Sequence, residues 1–72
     1  MEENLFHEKL TKRETEVLNF LDKNRHMRTK EIARSLFISR RTAESYMYRL
    51  YMKFEVHSKK KLLNKLDIIR KS

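Results

Sequence analysis

The chain has 72 residues, a formal net charge of +8, and no Gly, Pro or Cys. This length gives room for one small domain, and the absence of Cys excludes disulfides, thiolate metal sites and a cysteine nucleophile. No apolar run is long enough for a membrane span or a signal-peptide core, so we expect a protein of the reducing cytoplasm that is not bound to a membrane.

The positive charge is unevenly distributed along the chain. Residues 1–23 carry four Lys or Arg against six Asp or Glu, which gives −2, so residues 24–72 carry +10. A basic body of this kind favours a polyanionic partner. Charge alone does not separate DNA from RNA or an anionic membrane, and the membrane is the weaker alternative because no long basic helix has Trp, Phe and Leu on its apolar side.

The first helix is predicted to follow a flexible arm at residues 1–9, where no periodic pattern is sustained. Thr11 and Glu14 have the spacing of a capping box, which begins a helix. Three apolar residues form the buried face of this helix: Val17, Leu18 and Leu21. We expect Asn24 to end it in the left-handed conformation, because no Gly is present to do so.

The second and third helices are predicted to form a helix-turn-helix. Thr29 is expected to cap a short helix that carries Ile32, Ala33 and Leu36. Phe37 and Ile38 then make a tight link to Ser39, which is expected to cap the next helix near Arg40. Two helices joined by so short a link have the geometry of this motif.

The third helix has two contrasting faces. Its apolar residues recur at helical spacing: Ala43, Met47, Leu50 and Phe54. The opposite face and its flanks carry Arg41, Thr42, Glu44, Ser45, Tyr46, Tyr48, Arg49, Met52 and Lys53. Solvated faces are usually mixtures of Glu and Lys, so tyrosines and arginines here favour a DNA groove and its phosphates. The alternative is a merely basic surface helix with tyrosines packed at its edges.

The fourth helix is predicted to begin after Ser58. Its buried side is formed by Leu62, Leu63, Leu66 and Ile69. Ile68 points the other way and is a candidate contact with a partner. The four segments together predict an all-α fold, a four-helix bundle-like domain over residues 10–72 with a central helix-turn-helix.

Several of these motifs resemble one family in order and spacing. They are Leu10-Thr11 with RETEVL at 13–18, KEIARSLFIS at 30–39, Thr42-Ala43, Leu50, Lys53-Phe54, Val56 and Ser58. Together they resemble the LuxR/GerE-type helix-turn-helix domain of bacterial transcription regulators. The resemblance covers roughly residues 10–69, and it fits either a free-standing regulator or the DNA-binding portion of a longer protein.

The resemblance implies a specific arrangement on double-stranded DNA. It implies four helices, with the third (about residues 40–54) in the major groove. The fourth helix would supply a dimer contact, which we expect at Ile68 and Ile69. Base contacts are implied for Glu44, Ser45 and Tyr48, to which the exposed face adds Arg41. Phosphate contacts are implied for Thr29, Lys30, Thr42, Tyr46, Arg49 and Lys53, to which we add Arg40. Glu14 and Glu31 are expected to be structural, in a cap and in an ion pair respectively.

Three residues depart from the family's usual pattern. Glu44 stands where a lysine is common, and Tyr46 stands where histidine is frequent, so the target sequence does not transfer from relatives. A carboxylate repels phosphate but can accept from a cytosine amino group. Glu55 replaces the glycine usual after the third helix, and strain of about 1–2 kcal/mol is expected if its backbone is left-handed there.

Two other classes of function compete with DNA binding. The runner-up is a helix-turn-helix interaction module that docks on RNA polymerase or another regulator, since Arg and Tyr are also typical of protein hot spots. An enzyme is the third. His7, His26 and His57 are far apart in sequence, and no metal-ligand spacing, phosphate-cradling Gly loop or oriented nucleophile is present. We therefore predict no enzyme activity, metal or cofactor.

Overall fold

The computed structural model describes residues 10–71 and contains four α-helices there. They are α1 (Lys12–Lys23), α2 (Thr29–Ser35), α3 (Arg40–Phe54) and α4 (Lys59–Lys71). No strand occurs within this range. The all-α prediction is confirmed, whereas the arm predicted at residues 1–9 lies outside the described residues.

The helix starts are set mainly by side-chain caps. At α1, the Thr11 hydroxyl accepts from the Glu14 N–H (3.1 Å) and the Glu14 carboxylate accepts from the Thr11 N–H (3.0 Å), which is the predicted capping box. Ser39 accepts from the Thr42 N–H at α3, as predicted. Ser58 likewise accepts from the Lys61 N–H at α4.

Two caps and one ion pair differ from the sequence prediction. Asn24 ends α1 with φ −129°, which is not left-handed, because its backbone and side-chain N–H groups both donate to the Phe20 carbonyl. The cap of α2 is Arg28 and not Thr29, since Glu31 accepts from the Arg28 N–H at 2.8 Å. Glu31 therefore serves as a cap, and within residues 10–71 it forms no ion pair.

The core is formed by one apolar face from each helix. Helix α3 lies at the centre and contacts each of the other three. Its predicted stripe is buried, as are the predicted faces of the other helices except Leu36 and Ile69, which are half-buried. The buried apolar residues are Val17, Leu18, Leu21, Ile32, Ala33, Ala43, Met47, Leu50, Phe54, Leu62, Leu63 and Leu66. Burial of α3 on one side alone leaves its opposite side exposed.

Helix α3 is preceded and followed by tight turns of the same kind. Phe37 (φ 59°) and Glu55 (φ 58°) are left-handed, and the residue after each donates back to a carbonyl five positions earlier, as in a Schellman motif. Any residue with a Cβ pays about 1–2 kcal/mol in this conformation. Glu55 is thus left-handed, which was the condition for strain at that position, whereas a left-handed Phe37 was not predicted.

Ion pairs join the end of α1 to α4. Arg25 bonds both oxygens of Asp67 (3.0 and 2.7 Å) and one oxygen of Asp22 (2.6 Å), and Arg70 bonds the other oxygen of Asp22 at 2.7 Å. The Arg70 hydrogen bond, with a smaller effect of Arg25, lowers the pKa of Asp22, and Arg25 lowers the pKa of Asp67. The network fixes α4 against the end of α1.

Candidate nucleic-acid interface

The side of α3 that faces away from the core is open along its length. The five residues predicted there are all exposed: Arg41, Ser45, Tyr48, Arg49 and Met52. Tyr48 retains 63% of its surface, although it is a large aromatic residue. This exposure means that the face is available to a partner.

The predicted base-contacting residues lie together on this face. A shallow depression of about 300 Å³ is lined by Arg41, Glu44, Ser45, Tyr48 and Arg49. It therefore holds all four residues predicted to read bases and one predicted to bind phosphate. Its rim carries a guanidinium donor, a carboxylate acceptor and hydroxyl groups, which are the groups that hydrogen-bond base edges in a major groove.

Tyr46 contacts Arg49, one of the residues that line the depression. The Arg49 guanidinium carbon is 5.8 Å from the centre of the half-buried Tyr46 ring, at the distance of a cation–π contact. The hydrogen bond from Arg13 of α1 to Glu16, with a smaller effect of Tyr46, raises the pKa of Arg13. The Tyr46 ring thus lies near arginines of two different helices.

The phosphate candidates at the helix starts fall on α2 and α3. Lys30, Arg40 and Thr42 are exposed, whereas Thr29 is half-buried and its hydroxyl lies 3.6 Å from the Met47 sulfur. The Ser39 hydroxyl donates to the Thr42 hydroxyl at 2.9 Å. Arg40 pairs with Glu44 at 3.3 Å across one turn, with both side chains largely in solvent.

Lys53 is placed differently from the other phosphate candidates. Its Nζ lies 2.7 Å from Glu14 Oε1, and Glu14 is only 2% exposed. The Lys53 bond, followed by the backbone bond from Thr11, lowers the pKa of the Glu14 carboxyl. The Lys53 ammonium is thus bound to a buried carboxylate of α1, a contact across 39 positions that helical periodicity cannot indicate.

The two isoleucines predicted at a dimer contact differ in exposure. Ile68 is 66% exposed, whereas Ile69 is half-buried and packs against the core. Both lie on α4, but only Ile68 has most of its surface exposed.

Comparison with known proteins assigns the family. The model of the GerE family, described as bacterial regulatory proteins of the luxR family, matches residues 8–66, which is more than half of the chain. The chain belongs to the LuxR family. Membership implies DNA-binding transcription regulation and a regulatory, not an enzymatic, domain. No curated protein and no solved structure matches the chain significantly.

In the described part of this LuxR-family domain, potential metal ligands do not cluster. Within residues 10–71, no three His, Cys, Asp or Glu side chains lie close enough to hold a metal ion, and His26 and His57 are both exposed. His7 lies outside the described residues. No helix of the described part is long and apolar enough to cross a membrane.

Sequence reasoning missed the exposed Phe37 in the link before α3. The residue is 94% exposed, and its backbone is left-handed. One signal was available: a chain without Gly must place another residue at the left-handed position of any tight helix end. The tight link was predicted, but the strain at Phe37 was not.

Proposed function

We propose that the domain binds specific sequences of double-stranded DNA, with α3 in the major groove. The observation that carries this proposal is the depression on α3 that brings Arg41, Glu44, Ser45 and Tyr48 together. Arginine can bond two acceptors of a guanine, and a carboxylate can accept from a cytosine amino group. The cluster therefore has the chemistry to distinguish base pairs.

The flanks of α3 and the start of α2 supply the proposed phosphate contacts. These residues are Thr29, Lys30, Arg40, Thr42, Tyr46, Arg49 and Lys53. Arg49 and Lys30 are exposed and within residues 10–71 form no ion pair, so they are the strongest of the set. Because the Lys53 ammonium is bound to Glu14, we expect Lys53 to act mainly by holding α3 in place.

We further propose that two copies bind together through α4, at Ile68 and the adjoining Ile69. The 66% exposure of Ile68 supports this interface. A two-fold dimer would place two α3 helices on successive half-sites of a near-palindromic DNA sequence. Binding to chromosomal DNA also implies a cytoplasmic location.

Selection of bound duplexes from a random pool tests the function and identifies the preferred DNA sequence. Arg49→Ala should then weaken binding to selected and random duplexes alike and reduce the salt slope by about 1, because it removes one phosphate contact. Tyr48→Ala should instead reduce the difference between the two duplexes by about 1–3 kcal/mol. Titration of both variants at several salt concentrations provides the measurement.

The same experiment separates the competing function. A pool that yields no enriched sequence would refute sequence-specific binding. If both variants bind DNA as the wild type does but bind RNA polymerase less well, the face of α3 is a protein-docking surface instead.

A further inference from the structure

Phe37 is unfavourable to the fold in two independent ways. The residue is 94% exposed, so its side chain gains almost nothing from burial in this domain. Its φ of 59° lies in the left-handed region, where glycine alone has no steric cost. A residue that the fold itself does not favour is a candidate for a contact outside the fold.

The turn itself requires the left-handed backbone at this position. The Phe37 N–H donates to the Arg34 carbonyl (3.2 Å), and the Ile38 N–H donates to the Ala33 carbonyl (3.0 Å). These two bonds close α2 and direct the chain into α3. They involve only backbone atoms, so the link does not require an aromatic side chain.

The charges around Phe37 favour a polyanion as the partner. Arg34 precedes it in the last turn of α2, and Arg40 and Arg41 follow in the first turn of α3, all three of them exposed. No Asp or Glu occurs from residue 32 to residue 43, and although Arg40 pairs with Glu44, Arg34 and Arg41 form no ion pair within residues 10–71. An aromatic ring among arginines suits a nucleic acid, which presents apolar groups between its phosphates.

We propose that Phe37 is a DNA-contacting residue whose ring packs on the apolar surface of the duplex beside the site bound by α3. The apolar group is a thymine methyl or the face of a deoxyribose. This inference rests on the proposed function, since Phe37 lies in the link that leads into the N-terminal end of α3. It adds to that function a residue outside the recognition helix.

Replacement of Phe37 by Gly separates the contact from the fold, because the two effects have opposite signs. Phe37→Gly should raise the thermal midpoint by about 4 °C, since it relieves the strained turn. It should also weaken binding to the duplex selected by the wild-type chain, by about tenfold. Phe37→Asn, which tolerates the left-handed conformation, should lose the same affinity, whereas Phe37→Tyr keeps the ring and should bind within about twofold of the wild type.

Uracil-substituted duplex distinguishes the two apolar groups. If uracil in place of thymine weakens the wild type but not Phe37→Gly, the contact is a thymine methyl. If the substitution has no effect while Phe37→Gly still binds more weakly, the contact is a deoxyribose.

Two results would overturn the inference while the proposed function stands. The first is that Phe37→Gly binds DNA with wild-type affinity, whether or not it binds RNA polymerase less well. The second is that Phe37→Gly has a lower thermal midpoint than the wild type, which would make Phe37 a structural residue. A wild-type chain that binds no duplex would refute the proposed function and this contact together.

Discussion

Replacing Lys53 by Met is expected to destabilise the fold itself. Glu14 is 2% exposed. Its carboxylate accepts hydrogen bonds from the Lys53 ammonium (2.7 Å) and the Thr11 N–H (3.0 Å). Removal of one partner from a fully buried ion pair costs about 3–5 kcal/mol. The Lys53 side chain is 34% exposed, so in Lys53→Met water can partly replace the ammonium as a partner of Glu14. We therefore expect the free energy of unfolding to fall by about 1–3 kcal/mol.

Urea denaturation followed by circular dichroism at pH 7 measures this loss. Arg41→Met is the matched control, since Arg41 lies on the exposed side of α3 and within residues 10–71 has no ion pair; we expect a change within about 0.5 kcal/mol. Glu14→Gln completes a double-mutant cycle, because its amide oxygen can still accept from Thr11.

The pH dependence provides a second check on the Lys53 pair. The pKa of Glu14 is lowered in the folded state, chiefly by Lys53. Its contribution to stability is therefore present above the ordinary carboxyl pKa and is lost as the pH falls through the lowered value. The difference in free energy of unfolding between the wild type and Lys53→Met should become smaller below about pH 4. Equal stability of the two proteins at pH 7 would show that the pair does not hold α3.

Three further substitutions test the turn, the proposed dimer and the proposed groove contact. Glu55→Gly should stabilise the domain by a few tenths to about 1 kcal/mol in thermal unfolding, because φ is 58° there; a loss would contradict the left-handed turn. Ile68→Asp should leave the circular dichroism spectrum intact and lower self-association in sedimentation; unchanged association would place the interface elsewhere. Glu44→Lys should raise affinity for random DNA at low salt and change preference at one base position. If affinity for random DNA does not rise, Glu44 is not near the phosphates.

The sequence predicted those features that depend on periodicity. The stripe of Ala43, Met47, Leu50 and Phe54 is buried, and the open face opposite follows from it geometrically. All four helices were therefore predicted, together with their buried faces apart from the half-buried Leu36 and Ile69. The same periodicity predicted which side chains line the depression on α3, because that face is simply the one the core leaves uncovered.

The errors arose where several local hydrogen bonds compete. Asn24 was predicted to be left-handed, but its side-chain amide donates to the Phe20 carbonyl at 2.9 Å and ends the helix differently. Thr29 was predicted to cap α2, but Glu31 reaches back to Arg28 and shifts the start by one residue. Such bonds differ little in energy, so residue type alone does not choose between them.

Contacts between distant segments divide the basic residues into structural and exposed sets. Three lysines donate to groups of the fold: Lys53 to Glu14, Lys59 to the Met27 carbonyl (2.6 Å) and Lys65 to the Phe54 carbonyl (2.7 Å). The net charge of +8 counts these lysines equally with the exposed cations.

The cations on the exposed face of α3 that line its depression are arginines. Arg41 and Arg49 line its depression. Arginine suits that position, since its planar fork can bond two acceptors and can make a cation–π contact, as Arg49 does with Tyr46. The salt slope of DNA binding counts the phosphates that the protein neutralises. We therefore expect it to match the number of exposed cations near α3 and α2, which is well below the total number of lysines and arginines.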